Sequence, residues 1–198
     1  MKILISLILA LGTLCSFAHA DVGTANYTLS MGANPWVLTY KLTDGKLFTD
    51  QSGMTMKKAN GVWSGTWGNG CNVVVEAPVQ HNGYQTINVS VAQNSWTMPA
   101  HFIVYKDQDN ISISGSLGYR TLSATLWLKD RAVNLNGLFV SGSLASSSTG
   151  KYQGDLFVDG AKQPFSLDTT GSLDILTLAQ TDTGLWILTY LLPFIAYS

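Results

Sequence analysis

The stretch VWSGTW, residues 62–67, puts a glycine in the middle of what otherwise reads as a β-strand, two residues before a tryptophan. The pattern returns as ISISGSL at 111–117, as LFVSGSL at 138–144 and, more faintly, as TGSL at 170–173. Residues two apart in a strand share a face. Gly65 therefore lies with Trp63 and Trp67, Gly115 with Ile111, Ile113 and Leu117, and Gly142 with Leu138, Val140 and Leu144. Serine and threonine occupy much of the other face. A glycine on the solvent side would only weaken its strand. On the apolar side it lets the sheet coil sharply or leaves room for a bulky side chain from across the core. The recurrence predicts an antiparallel sheet curling on itself, closed or nearly closed into a barrel, with a two-sheet sandwich as the alternative. Closure also hides the edges that an exported β-protein must protect.

Turn signals support a meander. Asp44-Gly45, Asn60-Gly61, Asn69-Gly70, Asn82-Gly83, Asn136-Gly137 and Asp159-Gly160 all favour two-residue hairpin turns, because both positions tolerate positive φ. Alternating runs at 27–31, 84–91, 100–105, 111–117, 122–128 and 154–158 read as strands, about a dozen in all. No long window keeps a helical period with caps. With 12% charged residues and abundant serine, threonine, glycine and aromatics, the composition argues for sheet over long helices. Ser146 to Gly150 suits a flexible loop, and nothing resembles a linker. Residues 21–198 are expected to form one domain.

Residues 1–20, MKILISLILALGTLCSFAHA, carry a basic start, an apolar core from Ile3 to Leu14, and the small-x-small site Ala18-His19-Ala20. That is the pattern of a secretory signal peptide cleaved after Ala20. Leu14 before Cys15 argues against lipidation. The expected location is periplasmic, cell-surface or extracellular. Cys71 is then the one remaining cysteine, so no internal disulfide can form, which favours a bacterial source. The sequons at Asn26, Asn88 and Asn110 matter only in a eukaryote. A net charge of −1 without a basic cluster argues against a nucleic-acid partner. The uncharged run LWILTYLLPFIAY, residues 185–197, is too short for a spanning helix and is expected to form a closing strand followed by a packed tail. A membrane-touching tail is the less favoured reading, and oligomeric state is left open.

Catalytic patterns are missing. His81 and His101 have no zinc-type spacing with Cys71, and no residue marks the thiol as activated. There is no G-x-S-x-G elbow, phosphate loop or dinucleotide fingerprint. Glu76 is the sole glutamate, and Asp44, Asp107, Asp109, Asp159 and Asp182 sit in turn-like settings. Asp107-Gln108-Asp109-Asn110 is a fragment of a calcium loop without its glycine and distal glutamate. The expectation is a non-enzyme with no cofactor and no metal site.

Aromatic residues are what the sequence has in surplus. Trp63, Trp67, Tyr84, Trp96, Tyr105 and Trp127 are the candidate ligand-binding residues, because flat rings bury apolar or sugar surface at little entropic cost. Gly65-Thr66-Trp67 resembles the G-x-W element of calycin barrels, the lipocalins and avidins. Thr121 to Leu128 is similar to a late avidin strand ending in a tryptophan. The likeness covers some twenty residues and implies a barrel. Trp67 lies far from the chain start, and avidin ligand-loop residues are not identifiable. A barrel of roughly eight to ten strands has room for one small ligand. The expected function is an exported barrel holding a small apolar or amphipathic molecule in a tryptophan-lined cavity. The alternative is a surface-acting module of adhesin-like, glycan-binding or inhibitor type.

Overall fold

The structure, a computed structural model, describes residues 22–50, 53–68 and 70–197. The expected signal peptide, residues 1–20, lies outside them, as do Asn69 of one expected turn and the side chains of residues 195–197. Fifteen strands follow one another: β1 (Gly23–Met31), β2 (Asn34–Thr43), β3 (Lys46–Thr49), β4 (Thr55–Ala59), β5 (Val62–Trp67), β6 (Cys71–Val75), β7 (Val79–Gln80) and β8 (Gln85–Gln93). Then come β9 (Trp96–Lys106), β10 (Asn110–Leu117), β11 (Arg120–Trp127), β12 (Ala132–Gly137), β13 (Val140–Ser148), β14 (Lys151–Val158) and β15 (Ala161–Gly171). Neighbours in sequence pair antiparallel except β6 and β7, β1 pairs with β15, and β6 pairs with β8 through Asn72↔Ala92 to Val75↔Val89. That last ladder closes a 14-stranded antiparallel barrel, with β7 as one extra strand continuing along the same edge of β8 beyond Pro78. The sandwich alternative is excluded, and the fifteen strands exceed the dozen or so expected.

Strand alternation sorts the wall into two faces. Tyr27, Leu38, Tyr40, Ile87, Phe102, Ile113, Leu126, Tyr152 and Phe165 point inward and are buried, while Ser, Thr, Lys and Asp point out. This is the reverse of a lipid-spanning barrel, whose outer face is apolar. The glycines fall on the face that their phase predicts. Gly65 pairs with Met56 and Val73, Gly115 with Phe102 and Leu122, and Gly142 with Leu135 and Leu156, all six partners inward and buried. A Cβ on Gly65 would stand 1.9 Å from the Thr55 carbonyl oxygen, so the adjacent strand folds across the space a side chain would need. At Gly115 the ring of Phe102 occupies it, 2.3 Å away. The fourth copy differs: Gly171 (φ +60°) ends β15, where the chain leaves the wall.

Turn chemistry holds at Asp44-Gly45, Asn60-Gly61 and Asp159-Gly160, where both residues have positive φ. Asn136-Gly137 instead lies inside β12, and Leu138-Phe139 makes that turn. One end of the barrel, the mouth, carries the turns β1–β2, β5–β6, β8–β9, β10–β11, β12–β13 and β14–β15. The other, the base, carries β2–β3, β4–β5, β9–β10, β11–β12 and β13–β14.

The C-terminal segment corrects the expectation of a closing strand. It is helical and sits inside the barrel: α1 (Ile175–Thr181), α2 (Thr183–Trp186), a π-helical stretch Ile187–Leu191, and α3 (Leu192–Tyr197). Trp186, Ile187, Leu188, Leu191 and Leu192 have no exposed surface. In α1, Thr177, Gln180 and Thr181 are exposed at the base, but from Thr183 to Leu192 the chain is enclosed on every side and shows no amphipathic period to betray a helix. Asp174 caps α1 through Leu176 N and Thr177 N, and Asp182 caps α2 through Leu185 N. Both caps also hold the wall. Asp182 accepts from Lys58 Nζ at 2.6 Å and from buried Trp63 Nε1 at 3.0 Å. Asp174 accepts from the Tyr152 hydroxyl at 3.4 Å and lies 3.6 Å from Arg131. Burial, then the nearby Asp174 charge, pushes the Tyr152 phenol up to about 12.

After crossing the base, the chain rises towards the mouth beside β1, β2 and β15, and α3 also lies against β11. Pro193 has no N–H to offer the Thr189 carbonyl four residues earlier. The Tyr27 hydroxyl donates to that carbonyl at 2.5 Å. Phe194 then packs on Trp36 and Phe165 near the mouth, with ring centroids 6.0 and 5.6 Å away.

Candidate functional site

The helix does not fill the mouth between the ends of β5 and β6, β8 and β9, and β10 and β11. A cavity of about 450 Å³ opens there, lined by Trp67, Gly68, Cys71, Val91, Gln93, Trp96, Met98, Leu117, Tyr119 and Arg120. Strand phase explains the lining. Trp67 shares a face with Trp63 in β5, Cys71 with Val73 and Val75 in β6, Gln93 with Val91 and Val89 in β8, and Trp96 with Met98 and Ala100 in β9. Leu117 ends β10, and Arg120 begins β11 in phase with buried Leu122, Ala124 and Leu126. The cavity is thus the top layer of the barrel interior. Its floor is apolar and its rim carries two indoles, a phenol and one cation. The Arg120 guanidinium lies over the Tyr119 ring at 5.6 Å and the Phe139 ring at 5.8 Å, which holds it at the edge of the opening.

Inward-phase cations at the base are used differently. Lys58 meets Asp182, Lys106 donates to the Gln180 carbonyl at 3.3 Å, and Arg131 meets Asp174. All three hold the C-terminal helix, and burial holds Lys106 below its usual range. Arg120, also inward in phase, lines the cavity.

The six residues expected to bind ligand separate into three places. Trp67 and Trp96 line the cavity. Trp63 is buried deeper, bonded to Asp182, and belongs to the helix clamp. Tyr84 and Tyr105 meet on the outside near the base with centroids 5.7 Å apart, and His81 stacks on Tyr84 at 4.7 Å. Trp127 lies on the outer face at the base. Arg120, Met98, Leu117, Tyr119 and Cys71 were not among the expected site residues. Phase could have found Arg120, a charged residue continuing an otherwise apolar face immediately after the Gly118-Tyr119 turn.

The weighed catalytic pairings do not assemble. Cys71 faces in at the mouth, His101 faces out and bonds Asn88 at 2.8 Å, and His81 is on the base side. Asn88 in turn donates to Glu76 at 2.9 Å, making a cross-strand polar row on the outer face. Asp107 accepts from the Asp109 and Asn110 amides, both at 2.7 Å, which holds its carboxyl below the usual range and makes it a turn residue. Among the described residues no group of three or more His, Cys, Asp or Glu could hold a metal ion. No helix among them is long and apolar enough to cross a membrane. No family model, curated protein or solved structure matches the chain.

Proposed function

We propose that the protein is an exported, non-catalytic barrel that holds one small amphipathic molecule at its mouth. The observation that carries this reading is the cavity of about 450 Å³, which is within the size range of small-molecule sites. An apolar body fits against Val91, Met98, Leu117 and Trp67, and an anionic or hydrogen-bonding end meets Arg120 at the rim. Export rests on residues 1–20, and the absence of catalysis on the separation of the nucleophile and base candidates. The calycin likeness of Gly65-Thr66-Trp67 supports a binding barrel in general terms only, because Trp67 here ends its strand at the mouth.

The test is titration with 11-(dansylamino)undecanoate, a fluorescent anionic amphipath, together with native mass spectrometry of freshly purified protein. The reading expects saturation at one probe per chain. Met98→Trp, which narrows the cavity, should weaken it strongly, and Arg120→Gln should weaken the carboxylate probe more than its methyl ester. No saturable binding, or binding indifferent to Met98→Trp, would refute it. A second reading, a surface module for glycans, is favoured by one feature, the exposed His81–Tyr84–Tyr105 ring cluster beside the base. Ring-current shifts at those residues on adding oligosaccharides would support it.

A further inference from the structure

Four neighbouring hairpins, β5–β6, β8–β9, β10–β11 and β12–β13, form the mouth on the side where the cavity opens. Their tips present Trp96 (44% exposed), Tyr119 (74%) and Leu138 (65%) to solvent. Large apolar side chains are exposed at the base too, Val79 (51%), Tyr105 (52%) and Trp127 (38%), but they stand there among charged residues, whereas an apolar patch free of charge marks an interaction site. Charge is distributed the other way. On the mouth halves of these hairpins Arg120 is the only charged residue. Lys46, Lys57, Lys58, Lys106, Lys129, Arg131 and Lys151 gather at the base, with Asp44, Asp107, Asp109, Asp130, Asp174 and Asp182.

We infer that this side of the mouth docks on a lipid bilayer, with Trp96, Tyr119 and Leu138 entering the interface and Arg120 at headgroup level. Tryptophan and tyrosine favour that region because one end of each ring system is apolar and the other hydrogen-bonds. A long basic side chain beside them keeps its charge in the wet layer. A second protein surface fits less well: a rigid partner seated on these tips would roof the open cavity without filling it, whereas an acyl chain or headgroup can enter. Asp50, Asp155 and Lys162 lie on the remaining hairpins, and Asp159 borders the Leu138 hairpin, its amide donating to the Phe139 carbonyl at 3.0 Å, so the barrel tilts onto its β8–β11 side with Leu138 at the edge of the contact. Docking of this kind draws little on bulk electrostatics. The surface shares Trp96, Tyr119 and Arg120 with the cavity rim, while Leu138 lies outside it, and docking would deliver an amphipath from the membrane to the cavity.

The experiment is flotation of the mature protein with phosphatidylcholine vesicles, with and without added phosphatidylglycerol and salt. Wild type should float with neutral vesicles, insensitively to salt. Trp96→Ser/Tyr119→Ser/Leu138→Ser should float at least a hundredfold less well, since moving one large apolar side chain out of water is worth roughly tenfold. Leu138→Asp alone, outside the cavity, should lose most of the binding. Tyr105→Ser/Trp127→Ser at the base should keep it, and so should Met98→Trp, which separates docking from ligand binding. No flotation of wild type, equal flotation of the triple variant, or flotation needing anionic lipid and lost in salt would overturn the inference. So would a concentration-dependent dimer in sedimentation that the triple variant abolishes in the absence of vesicle binding.

Discussion

Asp182→Ala tests how the C-terminal helix is held. The carboxylate makes three contacts: it caps α2 at Leu185 N (3.0 Å), accepts from buried Trp63 Nε1 (3.0 Å) and pairs with Lys58 (2.6 Å). Losing an N-cap costs about 1 kcal/mol. Leaving the Trp63 N–H without an acceptor in the core costs about 1–3 kcal/mol. Lys58 is one-third exposed, so solvent screening limits the ion pair to at most about 1 kcal/mol. The variant should therefore lose about 3 kcal/mol, read as a lower urea midpoint at an unchanged slope. Asp182→Asn retains one acceptor oxygen for two donors that sit on different carboxylate oxygens, and should lose roughly half as much. Asp50→Ala, which removes only the exposed partner of Lys41, should stay within about 0.5 kcal/mol. Equal effects at Asp182 and Asp50, or an Asp182→Ala loss under about 0.5 kcal/mol, would show that the helix is not clamped through this residue.

Gly65→Ala should destabilise the barrel by about 1–3 kcal/mol, because its Cβ would meet the Thr55 carbonyl backbone; thermal melting reads this, and a neutral outcome would contradict the close strand approach. Tyr27→Phe should cost about 1–2 kcal/mol by leaving the Thr189 carbonyl without its donor, measured by the same denaturation. Alkaline stability carries a sign: burial raises the phenols of Tyr27, Tyr152 and Tyr190, so unfolded tyrosines release protons at a pH where these still hold theirs. Stability from these groups is complete below the ordinary value of 10.0 and should drain away as pH climbs towards about 12, which urea titrations at stepped pH will follow.

The wall was legible because its inner face follows a period of two over long strands such as β8 to β11, and because Gly65, Gly115 and Gly142 stay in phase with their apolar neighbours. Short strands hid part of the count: Lys46–Thr49 and Thr55–Ala59 offer too few alternations to separate from turns. The inner helix escaped notice for a different reason. Its Leu, Ile, Trp, Tyr and Thr are apolar on every face, and a uniformly apolar run does not distinguish strand from helix. That helix decides where the hollow lies. Trp67 and Trp96 were recognisable as lining by phase and proximity to strand ends. Trp63 was not separable from them, since only the position of Asp182, far along the chain, assigns its indole to the clamp. Arg120 likewise gains meaning only when the cavity is seen to open beside the start of β11.

The free thiol of Cys71 sits in the cavity wall and reports directly on whether that space takes a ligand. Its reaction rate with a thiol-disulfide reagent should fall as decanoate is added, with a midpoint equal to the Kd from fluorescence, and Met98→Trp should strongly weaken the dependence. A rate that decanoate leaves unchanged while wild-type protein is folded and monomeric would contradict the ligand site.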